Sequence, residues 1–133
     1  MVGVFSLELA RLYQYLFQET GNDYTIIHAL DGFDEISLTA DCKIISNDGE
    51  KLINPAYFGF QPVQIKELYG GSTVEEAATI FKAIIEGKGT PAQNNIVLIN
   101  AAIAIQTYHH YNINKCIEIA NESLFSLDRK SVV

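Results

Sequence analysis

Between Ile96 and Ile105 the sequence runs IVLINAAIAI, apolar on every side of a helix except at Asn100. A helix without a polar face cannot lie on a surface; other elements have to cover it all round. Thr90-Pro91 supplies the N-cap and first-turn residues with which such a helix favours starting. This helix is therefore predicted to be the most buried helix of the molecule. Asn100 is predicted to be a satisfied core amide joining segments, with a ligand contact as the alternative. At 133 residues the chain holds one domain, 1–133, with a core of reasonable size.

The elements that cover this helix can be read in order. Val2-Gly3-Val4-Phe5 reads as the tail of a short strand. Ser6 then caps a helix whose apolar face is Leu9/Ala10, Tyr13, Leu16 and Phe17, stopped at Gly21. Thr25-Ile26-Ile27, within Tyr24–Ala29, reads as a buried strand, followed by a polar turn and the alternating stretch Glu35–Thr39. Asn47-Asp48-Gly49 joins two strands as a hairpin, with glycine supplying positive φ. Pro55 to Gly59 is a short helical turn pinned by Phe58 and Phe60, and Pro62 to Leu68 is extended or irregular. Ser72 with Glu75 forms a capping box for a helix striped by Val74, Ala77/Ala78, Phe81 and Ile84/Ile85 and ended by Gly87. Asn112 or Asn114 caps the last helix, which turns Ile113, Cys116/Ile117, Ala120 and Leu124 inward. Helix, strand, hairpin and helices in that order predict an α/β fold of three layers, α/β/α, around a partial mixed sheet.

Charge narrows the function. The net charge is −7, against nucleic-acid binding, which needs a basic stripe. No apolar run approaches a membrane span. The opening MVGVFSLELARLYQ meets Glu8 and Arg11 early and lacks a basic start, so it does not read as a secretory signal. Cys42 and Cys116 read as reduced core thiols of a cytoplasmic protein, the alternative being a disulfide or metal pair. His109 and His110 are neighbours on a helix and diverge, and His28 reads as a hydrogen-bonded wall residue. Gly70-Gly71 reads as helix entry rather than a phosphate cradle, because Glu75 and Glu76 in the first turn would repel an anion.

Acids concentrate in one place. Asp31, Asp34, Glu35, Asp41, Asp48 and Glu50 share a stretch with a single base, Lys43, so a phosphorylated ligand here would need a divalent cation. The adjacent pair Asp34-Glu35 follows a buried strand, where α/β folds gather ligands, and Gly32 allows a tight backbone approach. A solvated acidic turn is the plain alternative. Magnesium takes one or two carboxylates and shares its other positions with water and phosphate. Neighbouring residues of a straight strand face opposite ways, so both carboxylates can serve one ion only where the backbone bends. No Ser-His-Asp, P-loop, Cys-x-x-Cys or G-x-G-x-x-G arrangement is present.

HALDGFDEISLT resembles the H-x-x-DG-x-DE-x-S-x-T segment of the anthranilate phosphoribosyltransferase family. In the same order, VGVFSLELARLYQ resembles that family's strand-to-helix entry, NPAYFGF its P-x-x-F-G segment, and GGSTVEEAATIF and KGTPAQNNIVLINAAIAI its two following helices. The resemblance implies a nucleoside phosphorylase/phosphoribosyltransferase type of catalytic domain. It implies transfer of phosphoribose from phosphoribosyl pyrophosphate to anthranilate in tryptophan biosynthesis, with magnesium as cofactor and Asp34 and Glu35 as its ligands. No residue of this chain is assigned a catalytic role.

The departures from the family are equally specific. Its helical N-terminal domain, its GTGGD loop and its KHG-N segment have no counterpart here. Ala29 stands where glycine is usual, and Ser72 where many members have aspartate. The chain is therefore expected to be the C-terminal portion of the catalytic domain, inactive alone and self-associating through an exposed sheet edge. Two alternatives remain open: a related phosphorylase or phosphoribosyltransferase with another acceptor, and a non-catalytic acidic binding module.

Overall fold

Thr25–Ala29 forms a strand, β2, in which all five residues are buried. Its two isoleucines explain why. Ile26 packs with Val4, Ala10, Tyr24 and Ile45 on one face of the sheet. Ile27 packs with Ile44, Ile53, Ile96, Ile99 and Ile103 on the other. A strand covered on both faces reads as continuously apolar, which is the pattern of the sequence. Fully burying one such side chain contributes about 1.5–3 kcal/mol.

The computed structural model describes residues 1–126. A mixed four-stranded sheet runs β1 (Val2–Gly3), β2, β3 (Cys42–Ser46), β4 (Gly49–Ile53) in spatial order. β1 lies parallel to β2, with Gly3 opposite Ile27; β3 is antiparallel to both β2 and β4. α1 (Leu7–Gln18) covers one face. α3 (Pro91–His109) covers the other and is backed in turn by α4 (Ile113–Phe125). α1 on one face and α3 with α4 on the other make the three-layer α/β/α arrangement, while α2 (Val74–Ile85) has no buried residue.

α3 buries Ala92, Ile96, Leu98, Ile99, Ala102 and Ile103, more than any other described helix. Its start is closed by a capping box between Thr90 and Gln93. Ser6 caps α1, and Asn112 rather than Asn114 caps α4. Asn47-Asp48 connects the hairpin, and Gly49 takes φ 109°.

Five expectations are corrected. Glu35–Thr39 is not a strand: Ile36, Ser37 and Leu38 are buried, but they make no ladder, and Leu38 adopts φ 59°. α2 is capped by Thr73, whose hydroxyl accepts the Glu76 amide, and not by Ser72. Ile65–Leu68 is a 3-10 turn within the stretch expected to be irregular. α1 ends at Gln18 with Glu19 as cap, so Gly21 lies beyond the position expected for it. His110 lies outside the helix that ends at His109, left-handed at φ 57°, with its Nε2 3.1 Å from Asp23 Oδ2.

Candidate metal-binding turn

Asp34 and Glu35 sit on a bent, exposed turn just past the carboxyl end of β2. Main-chain bonds set its shape: Ala29 N to Phe33 O at 3.0 Å and Gly32 N to Ala29 O at 2.9 Å. Gly32 holds φ 98° with open space around it, so its role is the left-handed conformation and not the close approach expected from the sequence. The close approach belongs to Gly3. A Cβ there would stand 1.4 Å from the main-chain oxygen of Asp34, so β1 can pass this turn only as glycine.

The far side of the turn is fastened by side chains. Asn100 Oδ1 accepts the Ile36 amide at 3.0 Å, and its Nδ2 donates to Ile36 O and Ile96 O, both at 2.9 Å. Thr39 donates its hydroxyl to Asp31, packs it 2.7 Å from Ser37 Oγ, and gives its amide to the same Ser37 oxygen. These bonds do the work of a strand ladder, which is why an alternating sequence here is buried yet irregular. A left-handed Leu38 costs about 1–2 kcal/mol, offset by complete burial and by its carbonyl accepting Val63 N at 2.9 Å.

Of the clustered acids, Asp31 is engaged by Thr39, and Glu50 pairs with Lys43 at 2.7 Å and Arg11 at 3.9 Å. Neither Asp34 nor Glu35 joins an ion pair or side-chain hydrogen bond among the described residues. Partial burial, and then the neighbouring Asp34 charge, raise the Glu35 pKa above its ordinary value. The pair thus carries negative charge that nothing described relieves. Two free, hard oxygen ligands fit magnesium completed by water and phosphate. They do not by themselves form a closed site: among the described residues no group of three or more His, Cys, Asp or Glu could hold a metal.

The other candidates fall into structural roles. His28 is buried, with Nδ1 2.9 Å from Val4 O, which makes it a wall residue. Cys42 and Cys116 are free and buried; burial pushes the Cys42 thiol up to about 12 and raises Cys116 as well. At the entry to α2, Glu76 Oε2 accepts the Ser72 amide at 2.7 Å, so the chain's own carboxylate occupies the place an anion would take. A cavity of about 260 Å³ lies at the opposite end of β2, between the hairpin and the end of α3, and does not include the acidic pair. Gly3 carries a single signal in the sequence, a glycine inside a strand pattern, which does not point to its contact with Asp34.

Residues 1–126 match the glycosyl transferase family, a/b domain. The chain belongs to that family. Anthranilate phosphoribosyltransferases of Flavobacterium johnsoniae and Flavobacterium psychrophilum are 52% and 49% identical to it over 126 residues. The match covers 95% of this chain and 38% of each relative, so the chain spans well under half of their length. Among solved structures, anthranilate phosphoribosyltransferase from Thermus thermophilus superposes with a TM-score of 0.79 at 21% identity, over 92% of this chain and 37% of that one. The Saccharomyces cerevisiae enzyme in complex with PRPP and Mg gives 0.74 at 23%, over 92% and 36%. At these identities the likeness establishes the fold. No helix among the described residues is long and apolar enough to cross a membrane.

Proposed function

We propose that the chain is part of an anthranilate phosphoribosyltransferase, a cytoplasmic enzyme of tryptophan biosynthesis. The longer protein transfers phosphoribose from phosphoribosyl pyrophosphate to the amine of anthranilate and releases pyrophosphate. The observation that carries this reading is the 52% identity to the Flavobacterium johnsoniae enzyme across nearly the whole chain.

Asp34 and Glu35 are the magnesium ligands in this reading. Their freedom from other described partners and their unrelieved charge support it, as do yeast structures of the same fold described with Mg bound and with PRPP and Mg. When bound, the ion supplies Lewis-acid neutralisation of charge on the departing pyrophosphate. The chain's own part is to hold two oxygens at the mouth of the sheet, with no described lysine or arginine paired to them.

The 133-residue chain is inactive alone in this account, because the remaining substrate contacts lie in the part of the relatives it does not span. It also self-associates, through apolar side chains such as Phe5, Leu16, Val74 and Phe81 that the described residues leave exposed. The test is to fuse the part of the Flavobacterium johnsoniae enzyme that the match leaves out to this chain, and follow loss of anthranilate fluorescence. The fusion is expected to turn over with magnesium and to lose roughly 10²-fold or more of its rate on combining Asp34→Asn with Glu35→Gln. A folded fusion without transfer, or transfer by the 133-residue chain alone, would contradict the reading.

A further inference from the structure

We infer that Asn100 is a positioning residue for the Asp34–Glu35 pair, an assignment that rests on reading the pair as the magnesium seat. Asn100 is the one polar residue in the apolar centre of α3. Its amide binds both main-chain groups of Ile36, the residue next to Glu35, at 3.0 and 2.9 Å, and anchors itself on Ile96 O one helical turn back. A side-chain amide that takes the N–H and the C=O of a single residue replaces a neighbouring strand. It fixes the direction of the peptide leaving Glu35 without requiring the extended conformation that would send consecutive side chains to opposite faces.

The other end of the pair is fixed independently. The main-chain oxygen of Asp34 lies where a side chain of Gly3 would be, so β1 and α3 hold the two ends of the same dipeptide. Between these grips two like charges are kept adjacent, with no cation among the described residues paired to them. Left to itself, a flexible turn would relax by separating them. The amide therefore maintains a ligand pair ready for an ion. An isoleucine or alanine at position 100 would keep the helix centre apolar but would leave the Ile36 amide and carbonyl unheld.

Manganese serves as the probe, because carboxylate sites of this type accept it in place of magnesium and its paramagnetism broadens nearby nuclear resonance signals. The 133-residue chain is titrated with Mn²⁺ in the presence of pyrophosphate, and broadening is followed at the amides of Asp34 and Glu35. Asn100→Ala is expected to weaken the ion roughly 10–100-fold, the range for residues that orient metal ligands. Ile103→Val, a core change on the same helix, is expected to leave the affinity unchanged while also lowering the melting temperature. Equal affinities in the folded Asn100→Ala and Ile103→Val chains would overturn the positioning role.

If Asn100→Ala fails to fold, hydrogen exchange at the Ile36 amide of the unmodified chain decides. Magnesium with pyrophosphate is expected to slow it at least tenfold; binding at the pair with unchanged exchange at Ile36 would overturn the inference. An unmodified chain in which Asp34 and Glu35 ignore the ion overturns the reading of the pair, and Asn100's role with it. That result is distinct from binding that survives loss of the amide.

Discussion

Glu35 carries a charge that its surroundings oppose. Partial burial and the Asp34 carboxylate both favour its protonated form, so its folded pKa lies above the unfolded value. A raised carboxyl pKa means that the folded state holds the proton more tightly. The associated stability is complete below the unfolded pKa near 4.5 and is lost as pH rises through the folded value. At neutral pH the ionised pair is therefore a small liability for the metal-free chain. Glu35→Gln should raise thermal stability at pH 7 by roughly 0.2–1 kcal/mol, the range for interactions of exposed charges, and flatten the decline just above pH 4.5. It should also remove any stabilisation by magnesium. Thermal melts across pH, with and without the ion, measure all three. A variant less stable than the original at pH 7 would mean that Glu35 has a structural partner.

At the scale of elements, α2 isolates the effect of a single cap. None of its residues is fully buried, and Val74 and Phe81 are 82% and 63% exposed, so little tertiary packing competes with its local signals. Thr73 accepts the Glu76 amide at 3.2 Å, whereas the Ser72 hydroxyl meets Tyr69 on the surface. Thr73→Ala should weaken the helix by about 1 kcal/mol and Ser72→Ala by less than about 0.5 kcal/mol. Amide exchange within Val74–Ile85 is the suitable readout, because a helix buried so little opens locally. Equal effects of the two variants would contradict the cap assignment.

These elements also show what a sequence does and does not reveal. Ser6 and Thr90 are legible as caps, and Ile26-Ile27 as a two-sided strand, because the signals lie within a few residues of their consequences, whereas the sequence leaves Asn112 and Asn114 as equal candidates. Ser72 with Glu75 and Thr73 with Glu76 are overlapping capping boxes of equal local merit. The choice between them is not written in the spacing: in the fold the Ser72 hydroxyl is engaged by Tyr69 and its amide by Glu76, which leaves Thr73 to take the Glu76 amide. Period-two alternation at Ile36–Thr39 marks Ile36 and Leu38 as buried but neither the burial of Ser37 between them nor what pairs with the backbone. That partner, Asn100, is 64 residues away from Ile36. The acidic pair was legible for the same reason that Gly3 was not. Adjacent charges announce themselves, while contact between β1 and the turn exists only after folding.

For the whole molecule, one sheet carries a structured turn at one end, where no group of three or more His, Cys, Asp or Glu among the described residues could hold a metal. β1 contributes two residues at one edge, and β4 lies at the other with four of its five residues exposed. Phe5, Leu12, Leu16, Leu30 and Leu52 add apolar surface on and around α1 and the sheet. Such edges and patches favour association. Sedimentation velocity of the 133-residue chain should show dimers or larger species growing with concentration, and Leu12→Lys with Leu16→Lys should reduce them. A concentration-independent monomer would count against that expectation.

The central claim is that Asp34 and Glu35 seat a divalent ion shared with a diphosphate. Anomalous scattering at the manganese edge, from crystals of the fusion protein grown with Mn²⁺ and phosphoribosyl pyrophosphate, tests it most directly. A peak is expected within bonding distance of at least one carboxylate oxygen from each residue and of the pyrophosphate group. A manganese peak on the pyrophosphate with both carboxylates turned away from it would contradict the claim.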